Sequence, residues 1–160
     1  FAALKSVPES EKNPDLYNKN NIEGTKQLLS LVQAHSIKRI IFSSSAAVYG
    51  DQDIQPIKET VVLSPKSVYA QTKKLSEELI KKQTQADQLK AISLRYFNPI
   101  GAHEEHVIAD SIEGNNGNIM AMLIRVANGL EEKLNIFGDD YSTDDGTGER
   151  DYIHINDIVI

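Results

Sequence analysis

The feature that most constrains the fold is an alternation of short apolar runs with a long, uninterrupted helix pattern. Residues 40–42 are an apolar, β-branched run followed by the hydroxyl side chains of residues 43–45, as is typical of a buried strand, and we predict a strand over residues 37–44. Residues 67–85 contain no Gly or Pro and predict a helix, and residues 90–97 repeat the strand pattern. Strands that alternate with long helices build βαβ units, so the sequence predicts an α/β protein with a doubly wound parallel sheet. Ligands of such sheets bind beyond the carboxyl ends of the strands, here near residues 43–45 and 97–98.

The rest of the chain extends this pattern and then changes in composition. The patterns predict a loop at 5–14, a helix at 15–35, a polar loop at 103–117, a helix at 119–128 capped by Gly129, a short strand at 134–137 and an acidic loop at 139–149. We therefore place a domain boundary after residue 100, with a smaller α+β domain over residues 101–160. The chain has no initiator Met and stops within an apolar pattern, so we expect it to be a segment of a longer protein.

Composition argues against several classes of function. The 160 residues include 17 Lys and Arg against 23 Asp and Glu, and the formal net charge of −6 argues against non-specific binding to nucleic acid or to an anionic membrane. The absence of cysteine excludes disulfides, thiolate metal sites and cysteine nucleophiles. No apolar run is long enough to span a membrane and the first residues do not resemble a signal peptide, so we expect a cytoplasmic protein.

The candidate catalytic residues lie at the end of the first predicted strand and at the start of the long predicted helix. Tyr69 and Lys73 are four residues apart, so a helix presents the phenol and the ammonium on one face. If this face meets the end of the strand, the hydroxyl of Ser45 joins them. A nearby cation favours phenolate, so we expect Lys73 to lower the pKa of Tyr69 and make it a usable base near neutral pH. Taken alone, the spacing more often marks a half-buried tyrosine beside a solvated lysine.

Three other patterns fail the spacing that their chemistry needs. His103 and His106 are too close together for a zinc-protease motif, and the acidic run at 139–146 does not match a calcium-binding loop. The serines at 43–45 lack the flanking glycines of a hydrolase nucleophile, and the chain has no glycine-rich phosphate loop. We therefore expect no metal site and no serine hydrolase.

Several segments, in this order along the chain, resemble the extended short-chain dehydrogenase/reductase family. They are Phe42–Gly50 (FSSSAAVYG), Tyr69 with Lys73, and Leu94–His103 (LRYFNPIGAH). Phe137–Tyr141 (FGDDY), Asp145–Gly148 (DGTG) and Arg150–His154 (RDYIH) narrow the resemblance to the UDP-glucose 4-epimerase family. The resemblance covers nearly the whole chain and implies a Rossmann-like fold. Residues 1–100 would be part of an NAD-binding domain without its glycine-rich N-terminal part, and residues 101–160 part of a substrate-binding domain without its C-terminal part.

The resemblance also implies a reaction. Members of this family hold NAD and invert C4 of a UDP-hexose, interconverting UDP-glucose and UDP-galactose through a transient 4-keto sugar. Tyr69 would act as the base on the sugar 4-hydroxyl, Lys73 would hold the nicotinamide ribose, and Ser45 would hydrogen-bond the reacting oxygen. Remote binding of the UDP group would hold the intermediate in the site while the sugar turns over.

The remaining site residues follow from the same resemblance. The implied cofactor contacts are Phe1, Ala2, Ala3, Leu4, Lys5, Asn20, Ser45, Tyr69, Lys73 and Phe97. The implied substrate contacts are Ser45, Tyr69, Asn98, Asn118, Phe137 and Arg150, with Arg150 suited to the diphosphate. The family further implies a homodimer, for which the helices that end near His35 and Gln85 are the candidate interface. The chain departs from the family pattern in having Ala3 for Gly, Ala47 for Thr and Val68 for Pro.

Two alternatives stay open at this stage. One is a 4-epimerase of an N-acetylated or uronic-acid UDP-sugar, and the other is a non-catalytic dinucleotide-binding protein on the same fold. A 4,6-dehydratase is disfavoured, because Ala46 and Ala47 offer no proton beside the strand-end hydroxyl. The sequence also lacks the glycine-rich turn that would hold a dinucleotide pyrophosphate, so we expect these 160 residues alone neither to bind NAD nor to turn over substrate.

Overall fold

The structure is a computed structural model that describes residues 2–86, 89–102 and 118–159. The chain forms two compact units, Phe1–Tyr96 and Phe97–Ile160, and each contains a pair of parallel strands. Parallel strands accompanied by helices confirm the predicted α/β class. The polar loop predicted at 103–117 lies outside the described residues, as does Phe1.

The first unit consists of helices and a two-stranded sheet. Its elements are α1 (Val7–Lys12), α2 (Pro14–Tyr17), a π-helical segment (Asn18–Glu23), α3 (Gly24–Ala34), β1 (Arg39–Ser43), a 3-10 turn (Ala46–Tyr49), α4 (Val68–Ala86) and β2 (Lys90–Leu94). The predicted strand at 37–44 and the predicted helix at 67–85 therefore correspond to β1 and α4. The helix predicted at 15–35 is also confirmed, as a continuous helical stretch made of α2, the π-helical segment and α3.

The loop predicted at 5–14 is wrong, because residues 7–12 form α1. Ser6 caps this helix by accepting a hydrogen bond from the Glu9 backbone N–H at 3.3 Å. Pro8 lies in the first turn, where the N–H that it lacks would have had no partner inside the helix. Pro14 is likewise the first residue of α2. The two prolines that suggested a loop instead mark the starts of two helices.

β1 and β2 are parallel and are connected through α4, so their carboxyl ends lie side by side. Ser43 pairs with Leu94 at the end of the ladder. Backbone hydrogen bonds of 2.8 Å continue the pairing past both strands, from Ser44 N–H to the Leu94 carbonyl and from Ala46 N–H to the Tyr96 carbonyl. The serine segment is therefore held against the end of β2. The core that packs α3 and α4 on this sheet contains Leu29, Val32, Ile80 and Leu89.

The second unit contains shorter elements. They are β3 (Asn98–Ile100), α5 (Ile119–Ala127), β4 (Tyr152–His154) and α6 (Ile155–Val159), with β3 and β4 paired in parallel. α5 confirms the helix predicted at 119–128. Gly129, at a φ of 70°, ends it as predicted, because its N–H and the N–H of Leu130 bond to the Val126 and Arg125 carbonyls.

Two predicted strands are wrong in their extent or existence. The strand predicted at 90–97 ends at Leu94, and residues 98–100 form a separate short strand, β3, by pairing with residues 152–154. Pro99 is tolerated there because β3 is short and belongs to a two-stranded sheet. Residues 134–137 are not a strand. Ile136 is 71% exposed and Phe137 is 87% exposed, so this apolar run has no buried face to stabilise pairing.

The described residues contain neither a candidate membrane-spanning helix nor a candidate metal site. No helix in the described ranges is both long and apolar enough to cross a membrane. Over the same part of the chain, no group of three or more His, Asp or Glu side chains could hold a metal ion.

Candidate active site

The position of Tyr69 is set by the way in which the first turn of α4 is capped. The first N–H groups of a helix have no partner inside the helix. Here the Val68 N–H donates to Glu11 Oε1 at 2.8 Å, the Tyr69 N–H to Ser10 Oγ at 3.1 Å and the Ala70 N–H to Ser67 Oγ at 3.1 Å. Ser10 is fully buried and donates its own hydroxyl to the Val7 carbonyl at 2.7 Å. Two side chains of α1 therefore hold the turn of α4 that carries Tyr69.

Lys73 lies one turn further along α4 and its side chain is buried. Its Nζ donates to the Ser43 carbonyl oxygen at 2.8 Å, at the carboxyl end of β1. The same nitrogen lies 5.0 Å from the centroid of the Phe42 ring and 5.9 Å from that of the Tyr69 ring, within the range of cation–π attraction. Burial lowers the pKa of Lys73 from its ordinary value.

Ser45 completes the cluster that the sequence predicted. Its Oγ accepts a hydrogen bond from the Ala47 N–H at 3.2 Å and so caps the 3-10 turn that follows. Its side chain also lies near enough to the phenol of Tyr69 to lower the pKa of that group. The structure thus brings Ser45, Tyr69 and Lys73 together at the carboxyl end of β1, where a parallel sheet places its ligand.

The pKa of Tyr69 differs in direction from our expectation. Burial, the larger cause, raises the pKa of the phenol above its ordinary value of 10.0, and the nearby Ser45 side chain offsets this only in part. We had expected Lys73 to lower the pKa. Its ammonium instead bonds the Ser43 carbonyl and lies over the face of the tyrosine ring. With the chain's own residues alone, Tyr69 is therefore a neutral phenol at pH 7.

Glu77 is a residue of this region that the sequence did not reveal. It lies one turn beyond Lys73 on α4, accepts the Ser44 hydroxyl at 2.5 Å and pairs with Arg95 through hydrogen bonds of 3.0 and 2.7 Å. Burial alone would raise the pKa of this carboxyl, but the hydrogen bonds from Arg95 and Ser44 and the charge of Arg95 together hold it below its ordinary value. The spacing of four residues after Lys73 was the one local signal that could have drawn attention to Glu77.

Asn21 is a second residue that the sequence did not single out. Its amide pairs with both backbone groups of Leu4, accepting from the N–H and donating to the carbonyl at 3.0 Å each. It also donates to the Thr72 hydroxyl at 3.1 Å, beside Lys73. Asn21 lies in the π-helical segment, where the wider turn is often associated with functional sites. The implied cofactor segment is therefore tied to α4 through one buried amide.

The predicted cofactor residues of the first unit fit part of a dinucleotide. Ala2, Ala3, Lys5 and Asn20 are exposed, while the backbone of Leu4 is fixed by Asn21. The ammonium of Lys73 has three donor hydrogens, and the Ser43 carbonyl accepts one of them. The remaining donors suit the hydroxyls of a ribose. Residues that would cradle the pyrophosphate through a glycine-rich turn are not part of this sequence.

The predicted substrate residues all lie in the second unit, apart from those shared with the cofactor. The side-chain amide of Asn98 donates to the Asp151 carbonyl at 2.7 Å. This hydrogen bond joins the start of β3 to the residue before β4, and Arg150 is the next residue back along the chain. Arg150 donates to the Glu149 carbonyl at 2.6 Å, and Asn118 caps α5 by accepting from the Met120 N–H at 3.0 Å. Phe137 is the most exposed large apolar side chain described. Asn98 and Arg150 thus both lie near the start of the β3–β4 pair, whereas Asn118 caps the first turn of α5.

Comparison with known proteins gives consistent results. The profile of the NAD dependent epimerase/dehydratase family matches residues 1–160. The chain is 45% identical to the UDP-glucose 4-epimerase of Bos taurus and 44% identical to that of Homo sapiens, and the matches cover 99% of this chain and 46% of each relative. The chain therefore spans about half the length of the curated relatives that it matches.

Solved structures give the same result for the fold. A UDP-glucose-4-epimerase from Stenotrophomonas maltophila with bound NAD and formylated UDP-arabinopyranose superposes with a TM-score of 0.94 at 44% identity, over 99% of this chain and 47% of that one. A UDP-glucose 4-epimerase from Bifidobacterium longum in complex with NAD⁺ and UDP gives a TM-score of 0.92 at 40% identity, over 99% and 48%.

Proposed function

Because the chain belongs to the NAD dependent epimerase/dehydratase family, we propose that the whole protein is an NAD-dependent isomerase that inverts C4 of a UDP-hexose and interconverts UDP-glucose and UDP-galactose. The observation that carries this proposal is the cluster of Ser45, Tyr69 and Lys73 at the carboxyl end of β1. A phenol, a hydroxyl and an ammonium close together are suited to proton transfer at a sugar hydroxyl. The identity of 45% to a UDP-glucose 4-epimerase supports the choice of sugar.

In this proposal the chain's own residues handle the proton. Tyr69 takes the proton of the sugar 4-hydroxyl and returns it after C4 has been inverted, and the sugar passes through a transient 4-keto form. The Ser45 hydroxyl, which lies near the phenol, hydrogen-bonds the reacting oxygen. Bound NAD⁺ would supply the acceptor and donor of hydride at C4, together with a positive charge that favours phenolate over the neutral phenol.

The cofactor and the UDP group would be bound by different residues. Lys73 would hold the nicotinamide ribose, with Phe97, Asn20 and residues 1–5 as further cofactor contacts. The UDP group would be anchored by Asn98, Asn118, Phe137 and Arg150. The planar guanidinium of Arg150 suits a diphosphate, and such remote binding would retain the 4-keto sugar while it turns over.

We propose a homodimer as the assembly. The support comes from apolar side chains that α3 and α4 leave exposed, Leu28 and Leu31 on α3 and Leu75 on α4. Sedimentation or light scattering of the full-length protein at several concentrations tests this assembly. A monomer at micromolar concentration would contradict it.

The function is tested by assaying the full-length protein for conversion of UDP-galactose to UDP-glucose with no NAD⁺ added. Turnover supported only by the NAD that copurifies with the protein is the expected result. The assay is repeated with UDP-N-acetylglucosamine and UDP-glucuronic acid, which tests the epimerases of those sugars. A protein that contains NAD and converts none of these sugars would instead be a dinucleotide-binding protein without catalysis.

A further inference from the structure

Three consecutive serines make three separate contacts with one face of α4. The Ser43 carbonyl accepts from Lys73, the Ser44 hydroxyl donates to Glu77, and the Ser45 side chain lies near the phenol of Tyr69. The three partners on α4 follow one another at intervals of four residues, so they form one row along the helix. The end of β1 is thus attached to α4 through three successive residues, and only two of their three partners on α4, Tyr69 and Lys73, belong to the predicted catalytic cluster.

The carboxylate of Glu77 is also held by a residue that follows β2. Arg95, just beyond β2, donates to both of its oxygens, and the two side chains are only 11% and 18% exposed for Glu77 and Arg95. Arg95 also donates to the Glu59 carbonyl at 3.3 Å and lies 4.9 Å from the centroid of the Tyr49 ring. Glu77 therefore joins α4, the end of β1 and the end of β2, and a bidentate pair of this kind allows little freedom of orientation.

A purely structural ion pair would need only Glu77 and Arg95. The link to Ser44 is additional, and it reaches the residue directly before Ser45 and directly after the carbonyl that accepts Lys73. Ser44 is buried, with 4% of its surface exposed, so its hydroxyl has no solvent to bond if Glu77 is removed. The backbone on either side of Ser44 carries the two groups that meet Tyr69 and Lys73.

We propose that Glu77 is a positioning residue for the reaction, which acts through Ser44 to fix the strand end that presents Ser45 to Tyr69 and the Ser43 carbonyl to Lys73. The inference rests on the proposed function. Glu77 contacts neither Tyr69 nor the predicted cofactor residues in the hydrogen bonds that the structure describes, so its effect is indirect. Small displacements of positioned groups cost turnover more than they cost binding.

The test compares Ser44→Ala, Glu77→Gln and the double variant in the full-length protein, with kcat expressed per bound NAD. Ser44→Ala removes the link and leaves the Glu77–Arg95 pair, so folding is preserved. We expect kcat to fall about 10- to 100-fold, as for a displacement near 1 Å, with KM for the UDP-sugar changed less than about 2-fold. Glu77→Gln keeps an amide oxygen that can still accept from Ser44, so the double variant is compared with Ser44→Ala. If Glu77 acts through Ser44, the double variant should show no further loss of kcat beyond Ser44→Ala.

Two matched controls use the same substitutions at sites outside this network. Ser30→Ala removes an exposed serine that donates to the Lys26 carbonyl, and Glu131→Gln removes the carboxylate that pairs with Arg125 in the second unit. Both should keep the wild-type kcat. Wild-type kcat in Ser44→Ala, with or without a lower melting temperature, would overturn the proposal. If the wild-type protein itself epimerises no UDP-sugar, the proposed function fails first and the positioning role fails with it.

Discussion

The ammonium of Lys73 donates a 2.8 Å hydrogen bond to the carbonyl oxygen of Ser43. This bond connects helix α4 to the last residue of strand β1. The lysine is buried, and its neighbours are the rings of Phe42 and Tyr69. A buried cation is costly unless it is paired, so its position is more readily explained by function than by stability.

Lys73→Met should therefore separate activity from stability. The methionine keeps the apolar length of the side chain against the two rings, and it removes both the buried charge and the donor to Ser43. The first effect stabilises the fold and the second destabilises it, so the free energy of unfolding should change by less than about 1 kcal/mol. Turnover should fall at least about 100-fold. Urea denaturation and kinetics of the full-length variant give the two values, and a loss of several kcal/mol would show that Lys73 is structural.

Asn20 and Asn21 are neighbours that should behave differently. Asn21→Ala leaves the Leu4 N–H and carbonyl and the Thr72 hydroxyl without the amide, so it should destabilise the protein by about 2–3 kcal/mol. Asn20 is exposed, and Asn20→Ala should change stability by less than about 0.5 kcal/mol while lowering the amount of bound NAD. Denaturation curves and the NAD content of the purified proteins are the measurements. Equal destabilisation by the two variants would contradict the assignment of Asn21 as the buried clamp.

Glu77 should make stability depend on pH in the acid range. Its pKa in the folded protein is lowered from an ordinary value of 4.5, so its contribution is present above pH 4.5 and is lost as the pH falls through the folded pKa. Glu77→Gln should cost about 2 kcal/mol at pH 7, less than a fully buried pair because the site is partly exposed. The difference from wild type should shrink below pH 4.5. Urea midpoints at pH 7 and pH 3.5 test this, and a constant difference would contradict it.

Gly50 follows the 3-10 turn that Ser45 begins, and it should not tolerate a side chain. Its φ is 64°, and an added Cβ would overlap the Ser64 carbonyl oxygen. Gly50→Ala should therefore cost more than about 2 kcal/mol. Gly24→Ala is the matched control, since Gly24 is helical with a φ of −60° and open space around its Cα. That change should stabilise the protein by about 0.5–1 kcal/mol. Melting temperatures that move in the same direction for both variants would contradict this account.

The parts of the structure that could be predicted are those with a local pattern. The apolar run of β1, the uninterrupted helix α4 and the spacing of Tyr69 and Lys73 each depend on residues close in sequence. Strand β3 was missed because it depends on pairing with residues 152–154, more than fifty positions away. The Ser44–Glu77–Arg95 network was missed for the same reason.

The direction of the Tyr69 pKa was wrong because the sequence shows which charges are near but not how deeply a phenol is buried. Burial depends on the packing of α4 against the end of β1. A lysine four residues away was a correct indication of proximity, but its ammonium is directed at a backbone carbonyl. Local spacing therefore identified the residues of the cluster but not the direction in which the pKa of Tyr69 is shifted.

The most direct test of the central claim is the turnover of Tyr69→Phe in the full-length protein. This substitution removes one oxygen and keeps the ring that packs beside Lys73. If the phenol is the base, kcat for UDP-galactose should fall about 100- to 10,000-fold while bound NAD and the melting temperature stay at wild-type values. A variant that keeps wild-type kcat would show that another group moves the proton, and the account of this site would be wrong.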